Sequence, residues 1–595
     1  MILQALTAYY EALLQKGEIS APGWDDRFKV TFELEIDDHG TLIDVIDCRE
    51  MKPKGKKQEL MPLEMRVPAH VRRSSGVVPN FLCDNASYLF GADEKGKPER
   101  ARECFDACAA LHHEILGGVD SPAARAVLAY FDTWQPEQTK EHPLLKARWK
   151  DIVSNANLVF LYDYGGVRRV VTEDADFQRA WQRYYQDEDS NARRAQCLIT
   201  GEIAPVALTH PAVKGVRDAQ SSGASIVSFN ANAFWSYGRE YGENAPIGKY
   251  AAFAYTTALN HLLADSAHCR ILGDTTVVCW AENAGTAAAD LGIYALFDAP
   301  AESGLQEEDV SKALSQLARG EPCDWLSETL RPEQHLYFLG LAPNAARISV
   351  RFFLRDSLGR FAAHMENHQK ALEIGPFNGA RNRFPIWALT NATTRKKTDG
   401  KYTDPAPQLA GDLLRAVLTG GRYPATLLNG VTLRIRAERD ITRGRAAILK
   451  AYYTRNPHKL CPEEVLKVEL NEQSGYPPYV LGRLFSVLET IQLEKAFQSK
   501  IKIQTTIKDS YFNSACATPA VVFPTLIKLA QKHLQKLGEG SRRYYNQQLT
   551  DLMGRLDTPF PARMTLPEQG AFELGYYHQT QKRFEKRNKE ETHNG

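Results

Sequence analysis

The chain has 595 residues, more than one compact core holds, and this length predicts two to four domains of about 150 residues each. Hydrophobic residues make up 43%, charged residues 24% and aromatic residues 10%, a composition that excludes disordered and fibrous proteins. The 73 Lys and Arg against 72 Asp and Glu give a net charge of +1, so a polyanionic partner would have to be bound by local basic patches.

The N-terminal part mixes predicted helices and strands. Apolar residues at helical spacing predict an amphipathic first helix over 1–17, rather than a targeting leader. Alternating apolar and polar residues predict a β-hairpin of strands 28–36 and 41–48. A helix with a glycine stop over 101–118 and extended segments within 153–174 follow, which together predict an α+β region.

A basic stretch separates the hairpin from the helix. Residues 49–73 hold eight Lys or Arg against three Glu, and their prolines and glycines predict a loop. The DNA-binding candidates in its first half are Lys52, Lys54, Lys56 and Lys57.

The compartment follows from the apolar stretches and the cysteines. Residues 250–264 contain Thr256, Thr257, Asn260 and His261, which a membrane-spanning helix would not tolerate, so no membrane contact is expected. Ten cysteines without a CxxC pair predict reduced thiols and a cytoplasmic protein.

Charge separates in the second half of the chain. Residues 282–333 hold eleven acidic and three basic residues, whereas residues 381–459 hold sixteen basic and five acidic residues. From about 462 the pattern becomes helical, with helices predicted over 482–497, 510–538 and 541–556. We therefore expect an α/β region at 1–461, with a further break near 330–380, and a helical bundle at 462–595.

Sequence motifs of enzymes are missing. The chain contains no GxxxxGK[ST], HExxH, GxSxG or GxGxxG, so a non-catalytic protein without a cofactor is expected. Cys104, Cys108, His112 and His113 share one predicted helix, but a single straight helix cannot surround a zinc ion, and core packing is the favoured interpretation. The Asp37-Asp38-His39-Gly40 segment is interpreted as a hairpin turn rather than part of a nuclease site.

Two loops combine amide, hydroxyl and arginine side chains. Residues 67–91 place such side chains around Gly76 and Pro79, and these suit phosphate contact and groove reading as well as an ordinary solvated loop; they are Arg72, Arg73, Ser74, Ser75, Asn80 and Asn85. Residues 228–248 interleave amides and aromatic rings that could stack on bases or form a polar-edged core; the candidates are Asn230, Asn232, Phe234, Tyr237 and Asn244.

Two further segments are basic. Five arginines lie within twelve residues, on a strand or a helix, and we expect uncompensated charge that contacts nucleic-acid phosphates; they are Arg434, Arg436, Arg439, Arg443 and Arg445. The C-terminal tail is also basic, with Lys582, Arg583, Lys586, Arg587 and Lys589, but terminal tails are often merely solvated.

Six segments together resemble the large subunit of the type I-C (Dvulg subtype) Cascade surveillance complex of CRISPR systems. They are RRSSGVVPNFLCDNASYLFG (72–91), QCLITGEIAPVALTHPAVKGV (196–216), SFNANAFWSYGREYGENAPIG (228–248), YVLGRLFSVLETIQ (479–492), SYFNSACATPAVVFPTLIKL (510–529) and GAFELGYYHQTQ (570–581). The family pattern has a threonine where this chain has Ser74, a conservative difference.

The resemblance implies a non-catalytic, RNA-guided defence protein. Such a subunit inspects the protospacer-adjacent motif in duplex DNA, promotes strand opening and R-loop formation, and stabilises the displaced strand, while guide-RNA pairing supplies specificity. The implied partners are target DNA, the guide RNA, the backbone, guide-end and small subunits, and a separate helicase-nuclease.

The helical C-terminal region resembles the small subunit of related complexes. The type I-C resemblance implies that this region is also made as a separate protein, from an internal start in the same gene. No Met lies between Met365 and Met553, so such a start would be non-AUG, at Val465, Leu466 or Val468. Two other functions stay open at this point. A metal-dependent nuclease would cleave plasmid with Mg²⁺, and a pure scaffold would not crosslink to target duplex.

Overall fold

A computed structural model describes most of the chain. The described residues are 1–19, 21–54, 57–71, 73, 76–92, 97–154, 156–187, 192–297, 305–375, 383–456, 458 and 460–593, with side chains except at 52–54, 57, 186, 187 and 584–593. Contacts divide the chain into unit 1, residues 1, 3–211 and 228–258, and unit 2, residues 2, 212–227 and 259–595.

Unit 1 contains both helices and strands. Its helices are α1 Ile2–Gln15, α2 Ala86–Leu89, α3 Pro98–Leu116, α4 Pro122–Thr133, α5 Pro143–Lys146, α6 Trp149–Val153 and α7 Ala175–Asp187. Its strands are β1 Trp24–Val30, β2 Phe32–Ile36, β3 Leu42–Asp47, β4 Glu50–Lys54, β5 Lys57–Met61, β6 Leu63–Pro68, β7 Cys83–Asn85, β8 Asn157–Asp163, β9 Arg168–Val170, β10 Arg194–Gln196 and β11 Ile203–Pro205. The next helix, α8 Lys249–Ala264, contains the division point after Ala258.

The main sheet of unit 1 is mixed. Its order is β3-β2-β8-β7, with β9 also paired to β8, and β2 runs parallel to β8 while the other pairs are antiparallel. The alternation in β2 places Phe32, Leu34 and Ile36 in the core, where they meet apolar residues of α3 and α4. β7 is fixed to this sheet by its antiparallel pairing with β8.

The predicted hairpin is confirmed with one difference. Strands β2 and β3 pair across the expected turn, in which the Asp37 carboxylate accepts hydrogen bonds from the amides of His39 (2.9 Å) and Thr41 (2.8 Å). The first predicted strand is divided at Thr31, because Val30 belongs to β1, which pairs with β6 in a separate ribbon. The turn interpretation of the acidic segment is therefore confirmed.

The loop predicted over 49–73 is wrong, because most of it is extended. Strands β4 and β5 form an antiparallel hairpin in which Lys52 lies opposite Glu59 and Lys54 opposite Lys57. Pro53 is compatible with this two-stranded ribbon because its missing N–H can face outward. Of the lysine candidates, Lys56 lies outside the described residues, and only the backbone of the other three is described.

Unit 2 contains a second sheet and most of the helices. Its strands are β12 Cys269–Leu272, β13 Thr275–Ala281, β14 Cys323–Trp325, β15 Glu328–Leu330, β16 His335–Asn344 and β17 Arg347–Ser357. Its helices are α9 Thr286–Leu296, α10 Glu307–Ala318, α11 Leu358–Leu372, α12 Ile386–Asn391, α13 Leu409–Leu418, α14 Ala425–Glu438, α15 Arg443–Thr454, α16 Pro477–Gln498, α17 Ile507–Ala517, α18 Pro519–Leu534, α19 Glu539–Met553 and α20 Leu566–His593. The sheet is antiparallel in the order β12-β13-β16-β17.

One apolar core joins the sheet and the C-terminal helices of unit 2. It runs from the strand residues Val277 and Phe338 to Phe485 and Phe572 in α16 and α20. Helices α16 and α20 approach closely because Gly482 and Gly575 lack side chains; a Cβ at either position would overlap a backbone carbonyl oxygen of the facing helix. The domain boundary predicted between residues 461 and 462 stays a prediction.

The predicted C-terminal helices are present with different bounds. The helix expected over 510–538 is broken into α17 and α18 at Thr518, because Pro519 keeps the preceding residue out of the helical conformation (φ −136°, ψ 66°). The arginine-rich segment, left open as strand or helix, is helical in α14 and α15. The α+β class is confirmed, and no described helix is long and apolar enough to cross a membrane.

Glu573 of α20 gives the first prediction, because its carboxyl group is only 2% exposed. Burial raises its pKa from 4.5 to about 8, although Arg436 opposes the shift. The folded state therefore binds the proton more tightly than the unfolded state, so this group contributes less to stability as pH rises between the two pKa values. Glu573→Gln, which imitates the neutral form, should remove this dependence.

We expect the stability advantage of Glu573→Gln over wild type to grow by about 2 kcal/mol between pH 6 and pH 8. Hydrogen exchange of the α20 amides in both proteins at the two pH values measures it. Other titrating groups, such as buried histidines, affect both proteins equally and cancel in the difference. A constant difference would show that Glu573 is ionised in the fold.

Candidate nucleic-acid interface

Arg73 is held in place by its own chain. Its guanidinium donates to both carboxylate oxygens of Asp84, with Nη1 2.9 Å from Oδ1, and its Nε donates to the Val78 carbonyl oxygen at 2.6 Å. The same group lies 3.9 Å from the ring centroid of Tyr88. Asp84 is 1% exposed, so this is an ion pair with a buried carboxylate rather than a solvated surface charge.

The two asparagine candidates also have structural partners. Asn80 is buried; its Oδ1 accepts from the Val71 amide at 2.9 Å, and its Nδ2 donates to Asp84 Oδ2 at 3.2 Å. Asn85 caps α2, with its Oδ1 accepting from the Ser87 amide at 3.0 Å. These side chains stabilise the loop, and a base contact by them is a separate, untested prediction.

The remaining candidates of this loop are Arg72, Ser74 and Ser75, which lie outside the described residues. Their neighbours are anchored: Val71 by Asn80, Arg73 by Asp84, and the Gly76 carbonyl by Arg100 Nη2 at 3.0 Å. Val71, Arg73 and Gly76 are therefore each held by a hydrogen bond to another residue of unit 1.

The Cys104–His113 helix face has protein partners. His112 is fully buried; its Nδ1 donates to the Cys108 carbonyl oxygen at 2.7 Å, and its Nε2 accepts from the Leu82 amide at 3.0 Å. Burial lowers its pKa to about 4, so the ring is neutral and both nitrogens are engaged. Among the described residues no group of three or more metal-ligating side chains occurs.

The loop 228–247 is a closed structure with an exposed tip. Asn244 closes it: its Oδ1 accepts from the Ser236 amide, and its Nδ2 donates to the carbonyl oxygens of Arg239 and Tyr241, each at 3.0 Å. Trp235 is half-buried and packs 5.2 Å from the Tyr241 ring. Asn244 therefore has a structural role, whereas Asn230, Asn232 and Phe234 are exposed.

The tip is a tight turn with an unusual residue. Tyr237 (φ 54°) and Gly238 (φ 70°) both have positive φ, and the Arg239 amide donates to the Ser236 carbonyl oxygen at 3.0 Å. Positive φ at both central positions is typical of a type I′ turn, which favours Asn or Asp before Gly. Tyrosine strains the backbone there, yet its ring is fully exposed, at 101% of its reference area.

The arginine cluster of unit 2 corrects the expectation of uncompensated charge. Arg445 is 5% exposed; its Nη1 donates to the Asp440 carbonyl oxygen at 2.9 Å and its Nη2 to Glu438 at 2.5 Å. The expectation is wrong for Arg434 and Arg445, because both pair with Glu438. Phosphate contact by the cluster stays a prediction. Arg434 pairs with Glu438 at 3.5 Å.

Two other members of the cluster donate to neutral acceptors. Arg436 Nη2 donates to Gln569 Oε1 at 2.8 Å, and Arg443 Nε donates to the Ile374 carbonyl oxygen at 3.1 Å. Arg439 ends α14 in a left-handed conformation (φ 54°) and is half-buried. In the tail, Lys582 pairs with Glu472, while the side chains of Lys586, Arg587 and Lys589 lie outside the described residues.

Sequence reasoning missed two features of the site. The buried acceptor Asp84 fixes Arg73, although nothing in the sequence distinguishes it from a surface acid. Arg239 lies exposed at the fourth position of the aromatic turn and adds a cation beside Tyr237. Its position directly after Tyr237-Gly238 is the sequence signal that could have identified Arg239 as part of the turn.

The chain is thus a two-unit α+β protein with a hairpin, an anchored loop and an aromatic turn in unit 1. Comparison with protein families gives its class: the sequence matches the family CRISPR-associated protein (Cas_Csd1) over residues 6–584. The chain belongs to this family, and so is a subunit of a CRISPR effector complex that contains other Cas proteins and nucleic acid. No curated protein matched the sequence.

The Arg73–Asp84 pair predicts a stability effect in the loop. Arg73→Ala leaves the Asp84 carboxylate buried without its cation, so the free energy of opening around β7 should fall by about 1 to 3 kcal/mol. Hydrogen exchange of the Asn80 and Asn85 amides measures it, because both amides donate to Asp84.

Arg102→Ala is the control, since Arg102 pairs with Asp106 and Glu137 on the surface and its loss should cost under about 1 kcal/mol. Unchanged exchange in Arg73→Ala would show that Asp84 does not depend on Arg73.

Proposed function

We propose that this chain is the non-catalytic large subunit of a type I-C CRISPR RNA-guided DNA surveillance complex. It recognises the protospacer-adjacent motif in duplex DNA, promotes strand opening and R-loop formation, stabilises the displaced strand, and helps recruit a separate helicase-nuclease. The family match over residues 6–584 supports this role. Guide-RNA pairing supplies the sequence specificity, so the protein itself needs only to hold duplex and read a short motif.

The β4–β5 hairpin is proposed to contact duplex phosphates. A two-stranded ribbon is narrow enough to enter the major groove, and Lys54 and Lys57 form the last residue pair of this one. Lysine contacts with phosphates release counterions and bind every sequence equally. The hairpin would therefore supply affinity rather than discrimination.

The segment 71–76 is proposed to read the motif. Discrimination between bases requires side chains held in a fixed position relative to the groove. The anchors at Val71, Arg73 and Gly76 form the frame from which we propose that Arg72, Ser74 and Ser75 contact the bases. Arg73 itself supports this frame through Asp84, and the buried Arg445 is not part of the proposed interface.

The turn at Tyr237 is the observation that carries the proposed DNA contact. A strained backbone conformation costs about 1 to 3 kcal/mol and persists where the surrounding structure enforces it. The exposed ring gains no burial within unit 1 that offsets this cost. An unpaired base that stacks on the ring would cover it, and stacking of this kind contributes about 1 to 3 kcal/mol per base.

The hairpin lysines give a prediction about salt. Replacing Lys54, Lys56 and Lys57 together by Gln should weaken binding of the assembled complex to matched and mismatched motifs alike. The slope of log affinity against log salt should fall by about one for each lysine that contacts a phosphate. Fluorescence anisotropy with labelled duplex over a salt series measures the slope.

The matched control removes the same charge elsewhere in unit 1, by replacing the exposed Lys140, Lys146 and Lys150 with Gln. Equal slopes for the two triple variants would remove the hairpin from the interface.

Tyr237 gives a prediction about strand opening. Tyr237→Asn keeps a residue that suits the turn, so stability should be equal or higher, but it removes the stacking ring. We expect opening of target duplex by the assembled complex to fall about tenfold, as read from 2-aminopurine fluorescence beside the motif.

Tyr237→Phe is the control, because it keeps the ring and should retain opening near the wild-type level. Full opening by Tyr237→Asn would exclude the turn from the DNA contact. A large subunit that only scaffolds the complex would show no effect of either the turn or the hairpin variants.

A further inference from the structure

A charged cavity lies in the helical part of unit 2. It has a volume of about 460 Å³ and lies between α16, α19 and α20. Its lining includes Arg483, Arg555, Lys582 and Arg583, together with Tyr544 and Tyr545. None of these residues belongs to the hairpin, loop or turn of unit 1.

Arg483 is a buried, positively charged residue in the lining of this cavity. The residue is 6% exposed, its Nε donates to Gln579 Oε1 at 3.1 Å, and its Nη1 donates to the carbonyl oxygens of Asn471 and Glu472. Burial lowers the pKa of Arg483, and the neighbouring Arg555 lowers it further. Within the described residues, no carboxylate lies within 4.0 Å of either guanidinium.

A buried guanidinium beside a second one is costly unless an anion neutralises both. Arg555 makes one weak contact, from Nη1 to Gln473 Oε1 at 3.4 Å, and its remaining donors are available to a ligand. Two arginines that line one cavity without carboxylate partners offer N–H donors to a phosphate group, which accepts several of them.

Two tyrosines give the cavity an aromatic wall. The rings of Tyr544 and Tyr545 lie 5.2 Å apart at 70°, and Gln548 Nε2 donates to the Tyr544 hydroxyl at 2.8 Å. This hydrogen bond fixes the orientation of the Tyr544 ring. A planar base could pack against it while an attached phosphate contacts the arginines.

The lining carries three acidic residues against four basic ones. Glu472 pairs with Lys582, and Glu494 accepts a hydrogen bond from Gln498 Nε2 at 2.9 Å. Asp551 is exposed and opposes an anion from one turn before Arg555. Asp551 therefore offers a variant that should change affinity in the opposite direction to the arginines.

We propose that this cavity binds a nucleoside phosphate, with the phosphate on Arg483 and Arg555 and the base against Tyr544 and Tyr545. The ligand is a free nucleotide or one unit of a single-stranded nucleic acid. The second source rests on the proposed role in stabilising the displaced strand, whereas the first does not.

The test uses the purified full chain without guide RNA or duplex, so that its result is independent of duplex capture. Calorimetric titrations with deoxythymidine monophosphate and with a short oligothymidylate distinguish the two sources. Arg555→Gln should weaken binding of whichever ligand binds by about tenfold or more, and Asp551→Asn should strengthen it. Arg555 is preferred to the buried Arg483, whose loss could unfold the bundle.

Arg542→Gln is the matched control, because Arg542 is an exposed arginine of the same helix that does not line the cavity. It should leave affinity within about twofold of wild type. Saturable binding with this pattern supports the site, for the free nucleotide or for the strand. Absence of binding to both ligands, or an equal loss in Arg555→Gln and Arg542→Gln, would overturn it.

Discussion

The buried carboxylate of Asp84 is the constraint on which the candidate motif-reading loop depends. A carboxylate at 1% exposure persists only when donors surround it, and here they come from the Arg73 guanidinium, the Asn80 backbone and side-chain amides, and the Asn85 amide. These donors belong to residues on both sides of Gly76. Satisfying one charge therefore holds Arg73, Asn80 and Asn85 together at β7, before any nucleic acid is bound.

The aromatic turn of unit 1 differs from this loop in the direction that its candidate side chain faces. The loop 71–85 gains stability from each candidate side chain that faces inward, whereas Tyr237 faces outward and strains its own backbone. The surrounding loop enforces this conformation through Asn244. Its side chain bonds to three backbone groups, the Ser236 amide before Tyr237 and the carbonyl oxygens of Arg239 and Tyr241 after it. Because the turn backbone is already held in place, binding a partner would order only the Tyr237 side chain. This small entropy cost favours contact with a partner.

Sequence patterns predicted the elements better than the roles of their side chains. Periodicity located the β2–β3 hairpin, α3 and the C-terminal helices, because burial of one face imposes it locally. It failed at residues 510–538, where Pro519 divides a continuous apolar pattern, and at 49–73, where charge and proline concealed a hairpin. The arginines at 434–445 resembled a phosphate-binding patch, since sequence does not show that Glu438, Gln569 and backbone carbonyls accept their hydrogen bonds.

The arginines of this chain differ in whether a carboxylate already accepts their hydrogen bonds. Arg73 and Arg445 have carboxylate partners, so moving either guanidinium to a phosphate would break an ion pair. For Arg73 the move would also leave the buried Asp84 carboxylate unpaired, at a cost similar to the gain. Arg483 and Arg555 have no carboxylate partner among the described residues, and an anion there adds a contact without breaking an ion pair. The net charge and the number of arginines in a segment do not distinguish arginines with a carboxylate partner from those without one. The acceptors around each guanidinium, rather than the density of arginine, therefore decide where this protein can bind phosphate.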